Sequence, residues 1–226
     1  MITGIHAIHQ RSIIQFFRHW LRGQFWAMIG NAVAILVLAS AFIFRPTTPG
    51  ELLAVALVQT PAASGSGFLV SDQLLLTTAR ITGDQTTISV LFPNQPPATG
   101  KVLFTDRERD IALVELKDII GLKPLPLGTS DALAPGEEVE LVGYQADTYT
   151  VARAALNRRS SDLFETGIPS TPGLSGGPLI RRADGSVVGM AISTPELGGP
   201  ANQGKHRAVP ITLIDAVCRQ HGKPIR

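Results

Sequence analysis

Ser175 stands among glycines, in Pro169-Ser170-Thr171-Pro172-Gly173-Leu174-Ser175-Gly176-Gly177-Pro178-Leu179-Ile180. A serine on a tight, glycine-rich turn is a candidate nucleophile, because Gly173 and Gly177 allow backbone angles closed to other residues and let a carbonyl group come close. On such a turn the N–H groups of Gly173 and Ser175 can converge on a developing oxyanion, which points to acyl transfer. A serine hydroxyl also needs a base to take its proton. The histidines are His6, His9, His19, His206 and His221, and none lies in a motif that would bring it to Ser175.

Two families carry a serine in such a setting. Gly173 to Gly177 fits Gly-x-Ser-x-Gly, the nucleophile elbow of α/β-hydrolases, but an elbow needs a helix directly after the serine. Here Pro178-Leu179-Ile180 leads into a short strand and an Asp184-Gly185 turn, so the elbow is disfavoured. Ser175-Gly176-Gly177-Pro178-Leu179 instead resembles the nucleophile loop of chymotrypsin-fold serine proteases, and Pro172-Gly173 before it is similar to the Deg-type (HtrA-like) branch. The resemblance runs from about Ser64 to Val217. Its other pieces are Gly65-Ser66-Gly67-Phe68-Leu69-Val70, Leu74-Leu75-Leu76-Thr77-Thr78-Ala79-Arg80, and Asp106-Arg107-Glu108-Arg109-Asp110-Ile111-Ala112-Leu113-Val114.

One piece departs from the family pattern. By resemblance, the position of Arg80 is where the family places the histidine that takes the serine's proton. A guanidinium, with a pKa above about 12, has no free lone pair to accept a proton. By the same resemblance Asp110 is the carboxylate that orients the missing histidine, so Ser175 and Asp110 are triad remnants and Gly173 supplies the oxyanion-hole backbone. Opposite Arg80, Asp110 is expected to form an ion pair that lowers its pKa. The alternative is an arginine swung out to solvent, with Asp110 merely capping a turn.

The elements that must position these residues read as all-β. From Leu52 onward the apolar runs are short, rich in Val, Ile and Leu, and separated by Gly, Pro, Asn or Asp. The strands expected are 53–59, 67–70, 74–78, 87–92, 100–105, 111–116, 138–143, 148–157, 163–166, 178–182, 187–193 and 206–210. They suit the two six-stranded antiparallel β-barrels that the trypsin-like resemblance implies. Ile211 to Gln220 has helical periodicity and closes the chain, as in the family. The walls of a specificity pocket would come from residues 168–170 and 188–193, none of them acidic, so a small or apolar pocket is expected. Pro195 to Lys205 reads as a mobile surface loop.

Ahead of the barrels, Phe25 to Phe44 is an uncharged run of 20 residues, about 30 Å as a helix and long enough to span a bilayer. Residues 1–50 hold Arg11, Arg18, Arg22 and Arg45 and no acid, a charge of +4, while the remaining 16 basic and 18 acidic residues give −2. By the positive-inside rule the N-terminus is cytoplasmic and the domain extracytoplasmic, periplasm-like in a bacterium. The expected organisation is a cytoplasmic segment at 1–24, an anchor at 25–44, a stiff linker at 45–50 and a protease-like domain at 51–226. A cleaved signal peptide, with Ala39-Ser40-Ala41 at the cut, is the competing reading. Within residues 1–24, Ile13, Phe16, Phe17, Trp20 and Leu21 fit either an amphipathic surface helix or a continuation of the anchor. Gly30, Asn31 and Ala34 suit contact with another transmembrane helix.

The basic charge lies outside the domain, which speaks against nucleic acid. Cys218 is the only cysteine, so there is no disulfide framework and no metal-ligand spacing; no phosphate loop is present, and no cofactor is expected. Sixteen residues after Pro210 leave no room for the peptide-binding module that Deg-type proteases often carry. The reading is a membrane-anchored protease homologue without catalysis, acting as a binding or structural subunit among other membrane proteins. Its alternatives are a working endopeptidase with an unusual base, and a regulator that binds exported peptides and acts through a partner.

Overall fold

Each short apolar run after Leu52 becomes one strand, and the turn residues between runs bring successive strands back antiparallel. The structure, a computed structural model, describes residues 52–192 and 205–226. The first barrel comprises β1 (Val55–Gln59), β2 (Ser64–Leu69), β3 (Leu74–Thr77), β4 (Thr87–Leu91), β5 (Ala98–Asp106) and β6 (Ile111–Leu116). Its order is β1-β2-β3-β6-β5-β4, and β1 pairs with β4 to close the ring. The second comprises β7 (Glu138–Gln145), β8 (Thr148–Arg159), β9 (Phe164–Pro169), β10 (Pro178–Arg181), β11 (Val187–Ile192) and β12 (Lys205–Pro210). There the order is β10-β11-β12-β9-β8-β7, closed by β10 against β7. The two closed six-stranded antiparallel barrels and the closing helix are thus present as expected, with strand ends shifted by up to three residues.

Burial explains why the runs are continuous rather than strictly alternating. Val55, Ala56, Leu57 and Val58 are all buried, as are Ile111 to Val114, because one face fills the barrel and the other is covered by neighbouring elements. One apolar cluster includes Val58, Phe68 and Leu113 of the first barrel together with Val142, Met190 and Ile214 of the second half. A smaller cluster, with Leu141, Leu156, Phe164 and Ile168, fills the second barrel. Each such side chain contributes about 1.5–3 kcal/mol by leaving water, so the barrels and their seam are held mainly by burial.

Two helices complete the domain. α1 (Ala79–Thr82) is a single turn that the strand pattern does not announce; it begins at an extended Thr78 and stops at Gly83, whose φ is 55°. α2 (Ile211–Gln220) buries Ile211, Ile214, Asp215, Val217 and Cys218 on one face, the helical spacing read from sequence. Its end is fixed twice. His221 stacks on Phe104 of β5 with ring centroids 4.1 Å apart, and Asp215 accepts from Arg219 Nε at 2.9 Å and from Ile225 N at 3.1 Å. Among the described residues no helix is long and apolar enough to cross a membrane. The expected cytoplasmic segment, anchor and linker at 1–50, and the 195–205 loop apart from Lys205, lie outside the described residues.

Candidate active site

The loop between β9 and β10 carries Ser175, and its glycines are demanded by close approach. Gly173 has φ 95°, and a Cβ there would lie 2.2 Å from the Tyr144 carbonyl oxygen. Gly176 has φ 85°, and a Cβ would meet the Ser66 carbonyl oxygen at 2.0 Å. Only glycine combines these angles with that contact.

The loop is tied to both barrels. Ser66 on β2, fully buried, donates from Oγ to the Gly173 carbonyl at 2.7 Å and accepts there from Tyr144 N at 2.9 Å. The Ser66 N–H donates to the Ser175 carbonyl at 2.8 Å, and Gly176 N donates to the Ala191 carbonyl of β11 at 2.8 Å. Thr77, at the end of β3, donates from Oγ1 to the Ser66 carbonyl at 2.7 Å. Three residues after Thr77 comes Arg80. The chain therefore brings the Arg80 turn and the Ser175 loop to the same end of the seam between barrels.

Arg80 and Asp110 meet directly. Arg80 Nε and NH2 lie 2.9 and 2.8 Å from Asp110 Oδ2, while the Arg80 backbone N–H donates to Oδ1 at 2.9 Å. Both carboxylate oxygens are thus engaged by one residue. Asp110 has φ 57°, a left-handed conformation that aspartate tolerates better than most side chains. The expected pairing is present, but the expected fall in pKa is not. Burial pushes the Asp110 carboxyl above the usual aspartate value, and the hydrogen bonds and charge of Arg80 offset only part of that. The sequence argument counted the cation and left out desolvation. Beside the pair, Ala79, Gly83, Asp84 and Arg107 complete an open hollow of about 240 Å3, across which Arg107 pairs with Asp84.

Two contributors have roles that the motifs did not show. Ser66 carries no chemistry in sequence, since its role depends on a contact across 107 positions. His206 on β12 reaches the same loop, where its Nε2 accepts from the Thr171 N–H at 3.0 Å, four residues before the serine. β12 also runs between β9 and β11, which carry the expected pocket walls; Ile168, Val188 and Met190 there are buried, and Ser193 lies outside the described residues. Cys218 is buried, and its thiol is pushed up to about 12 by burial and the nearby Asp215 charge. Among the described residues no three His, Cys, Asp or Glu are grouped to hold a metal ion.

This arrangement can hold a backbone carbonyl against the Ser175 loop and can hold a carboxylate with a cation. Arg80 in its present role cannot accept a proton. Known proteins share the scaffold. Residues 65–190 match the family described as trypsin-like peptidase domain. Serine protease HTRA1 of Xenopus laevis is 36% identical over 146 residues, covering 58% of this chain and 32% of the relative. A probable periplasmic serine endoprotease DegP-like of Pseudomonas fluorescens is 32% identical over 166 residues, covering 69% and 34%. The chain thus spans about a third of the length of these curated relatives. The solved structure of an HtrA-type protease, AlgW with tripeptide, aligns with a TM-score of 0.67 at 25% identity, over 78% of this chain and 64% of that one.

Proposed function

The chain belongs to the trypsin-like peptidase domain family, and from that premise we propose that it is a family member whose cleft binds or braces rather than cuts. Residues 25–44 anchor it in a membrane, residues 1–24 stay in the cytoplasm, and the domain at 51–226 works on the other side as an accessory subunit among membrane proteins. The observation that carries the reading is the Arg80–Asp110 pair: the guanidinium engages Oδ2, and the Arg80 backbone N–H engages Oδ1, of the carboxylate placed by motif to serve a triad. In this reading Arg80 holds the seat of the family's histidine, Ser175 keeps its proton, and Asp110 and Gly173 persist as shape. Removing a triad member leaves roughly 10³–10⁴-fold of catalysis over water, which is slight beside an intact site.

A fluorophosphonate probe tests this, since labelling requires an activated hydroxyl. The expected outcome is no labelling of Ser175 at a protease-like rate; rapid labelling overturns the proposal. In Arg80→His the restored base should raise labelling about 10²-fold or more, the usual scale of general-base assistance.

A second reading, a working endopeptidase with another base, draws on one observation. The Ser175 loop keeps its glycines at φ 95° and 85° and its ties to Ser66, which supports a reading with the oxyanion side retained. The same probe separates the two.

A further inference from the structure

The first barrel has two ends, and the chain enters it at the one remote from Arg80. Val55, the first residue of β1, pairs with Phe68 near the far end of β2. At that end the Leu116 N–H donates to the Gln73 carbonyl in the β2–β3 turn, the Lys117 N–H to the Thr99 carbonyl of β5, and the Leu125 N–H to the Leu69 carbonyl. Residues 118–124, the first part of the connection to the second barrel, are therefore held on both sides beside the entry of the chain. Asp110 stands at the opposite end of β6 from Leu116, roughly 20 Å away at the rise of a strand.

This connection is apolar at its tip. Ile119 is 64% exposed, the most exposed large apolar side chain among the described residues. Ile120 and Leu122 beside it are half-buried against the core, and Gly121, at φ 70°, turns the chain between them. Exposed Lys117 and Lys123 flank the segment, and exposed Asp72 and Asp118 balance their charge. Exposed Pro96 and Pro97 lie at the same end, in the loop from β4 to β5. Single exposed apolar residues are common on soluble surfaces; what distinguishes Ile119 is its position.

The anchor proposed above ends at Phe44, and the residues 45–51 before Leu52 can span at most about 30 Å. The entry end of the barrel is kept within that reach of the lipid, at an effective concentration high enough to populate even a weak contact. We propose that this end of the domain rests on the bilayer, with Ile119 inserted at the interface, Lys117 and Lys123 reaching the lipid phosphates, and the Arg80–Asp110 site at the end away from the lipid. The proposal rests on the anchored reading of residues 25–44. Because the two lysines and two aspartates cancel, the contact is apolar and does not require anionic lipid. It leaves the site open to the extramembrane part of a partner.

The full chain in phosphatidylcholine vesicles tests it. Cys218 is buried, so an environment-sensitive fluorophore attaches selectively to Ile119→Cys or, as the control at the site end, to Glu108→Cys, where the parent side chain is 83% exposed. Lipid carrying a spin label near its headgroup should remove most of the emission at 119 and leave that at 108 nearly unchanged, with or without phosphatidylglycerol. With the fluorophore on Lys123→Cys, adding Ile119→Ser should abolish the quenching. Emission at 119 that escapes the lipid quencher, quenching at 108 as strong as at 119, or quenching at 123 that survives Ile119→Ser overturns the proposal. So does a probe at 119 hidden from lipid and from an aqueous quencher alike, the mark of a second copy seated there. Alkaline carbonate extraction of membranes tests the anchor on its own: release of the chain defeats anchor and proposal together, whereas retention without quenching at 119 defeats only the contact. Neither measurement depends on Ser175 reactivity, so failure here and failure of the non-cutting reading are distinguishable.

Discussion

At the scale of single residues, Asp110 is costly to leave alone. Its side chain is 12% exposed, and Arg80, at 41%, supplies both the countercharge and two hydrogen bonds. Arg80→Ala should cost about 1–3 kcal/mol, less than the ~3–5 for a fully buried pair because the guanidinium is partly in water. The sign of the pH dependence follows from desolvation. Asp110's folded value already lies above its ordinary one, and losing Arg80 moves it higher still. A raised folded value means the carboxylate opposes folding above that value, and the penalty fades as pH falls through it toward about 3.9. Denaturant melts of Arg80→Ala and the parent should therefore converge on acidification. A deficit that grows in acid would show that the pair is not what stabilises the turn.

At the scale of elements, β2 joins the barrels through Ser66. Ser66→Ala leaves the Gly173 carbonyl and the Tyr144 N–H without the buried hydroxyl that serves both, a loss of about 2–4 kcal/mol. Thermal or denaturant unfolding measures it; a change below about 0.5 kcal/mol would show that other groups take over both bonds. The strands themselves were legible from sequence, because apolar runs of barrel length alternate with turn residues, and Ile111–Leu116 and α2 fall on the expected residues. α1 was not legible. Ala79 to Thr82 is one turn with no side-chain cap at Thr78, so nothing in its composition distinguishes it from a strand's end. The Arg80–Asp110 contact was legible from the motifs, and the contacts that depend on pairing between distant strands, at Ser66 and His206, were not. The expected pKa shift of Asp110 failed for a related reason: burial is a property of the packed molecule, and charge spacing along a chain does not report it.

At the scale of the whole molecule, the proposed accessory role makes a claim about company. Extracted gently in detergent and sized, the full chain should run with other membrane proteins, well above its 24.1 kDa plus micelle. Elution as a lone monomer would count against a subunit role while leaving the Arg80 argument intact. Within the domain, Asp110 opens β6 at the barrel seam with its backbone bent to φ 57°. Asparagine, aspartate and glycine accept that bend most easily, and other side chains resist it. The bend alone is a reason for an acidic residue to stand at this corner. An aspartate at such a corner is therefore not by itself the mark of a working triad.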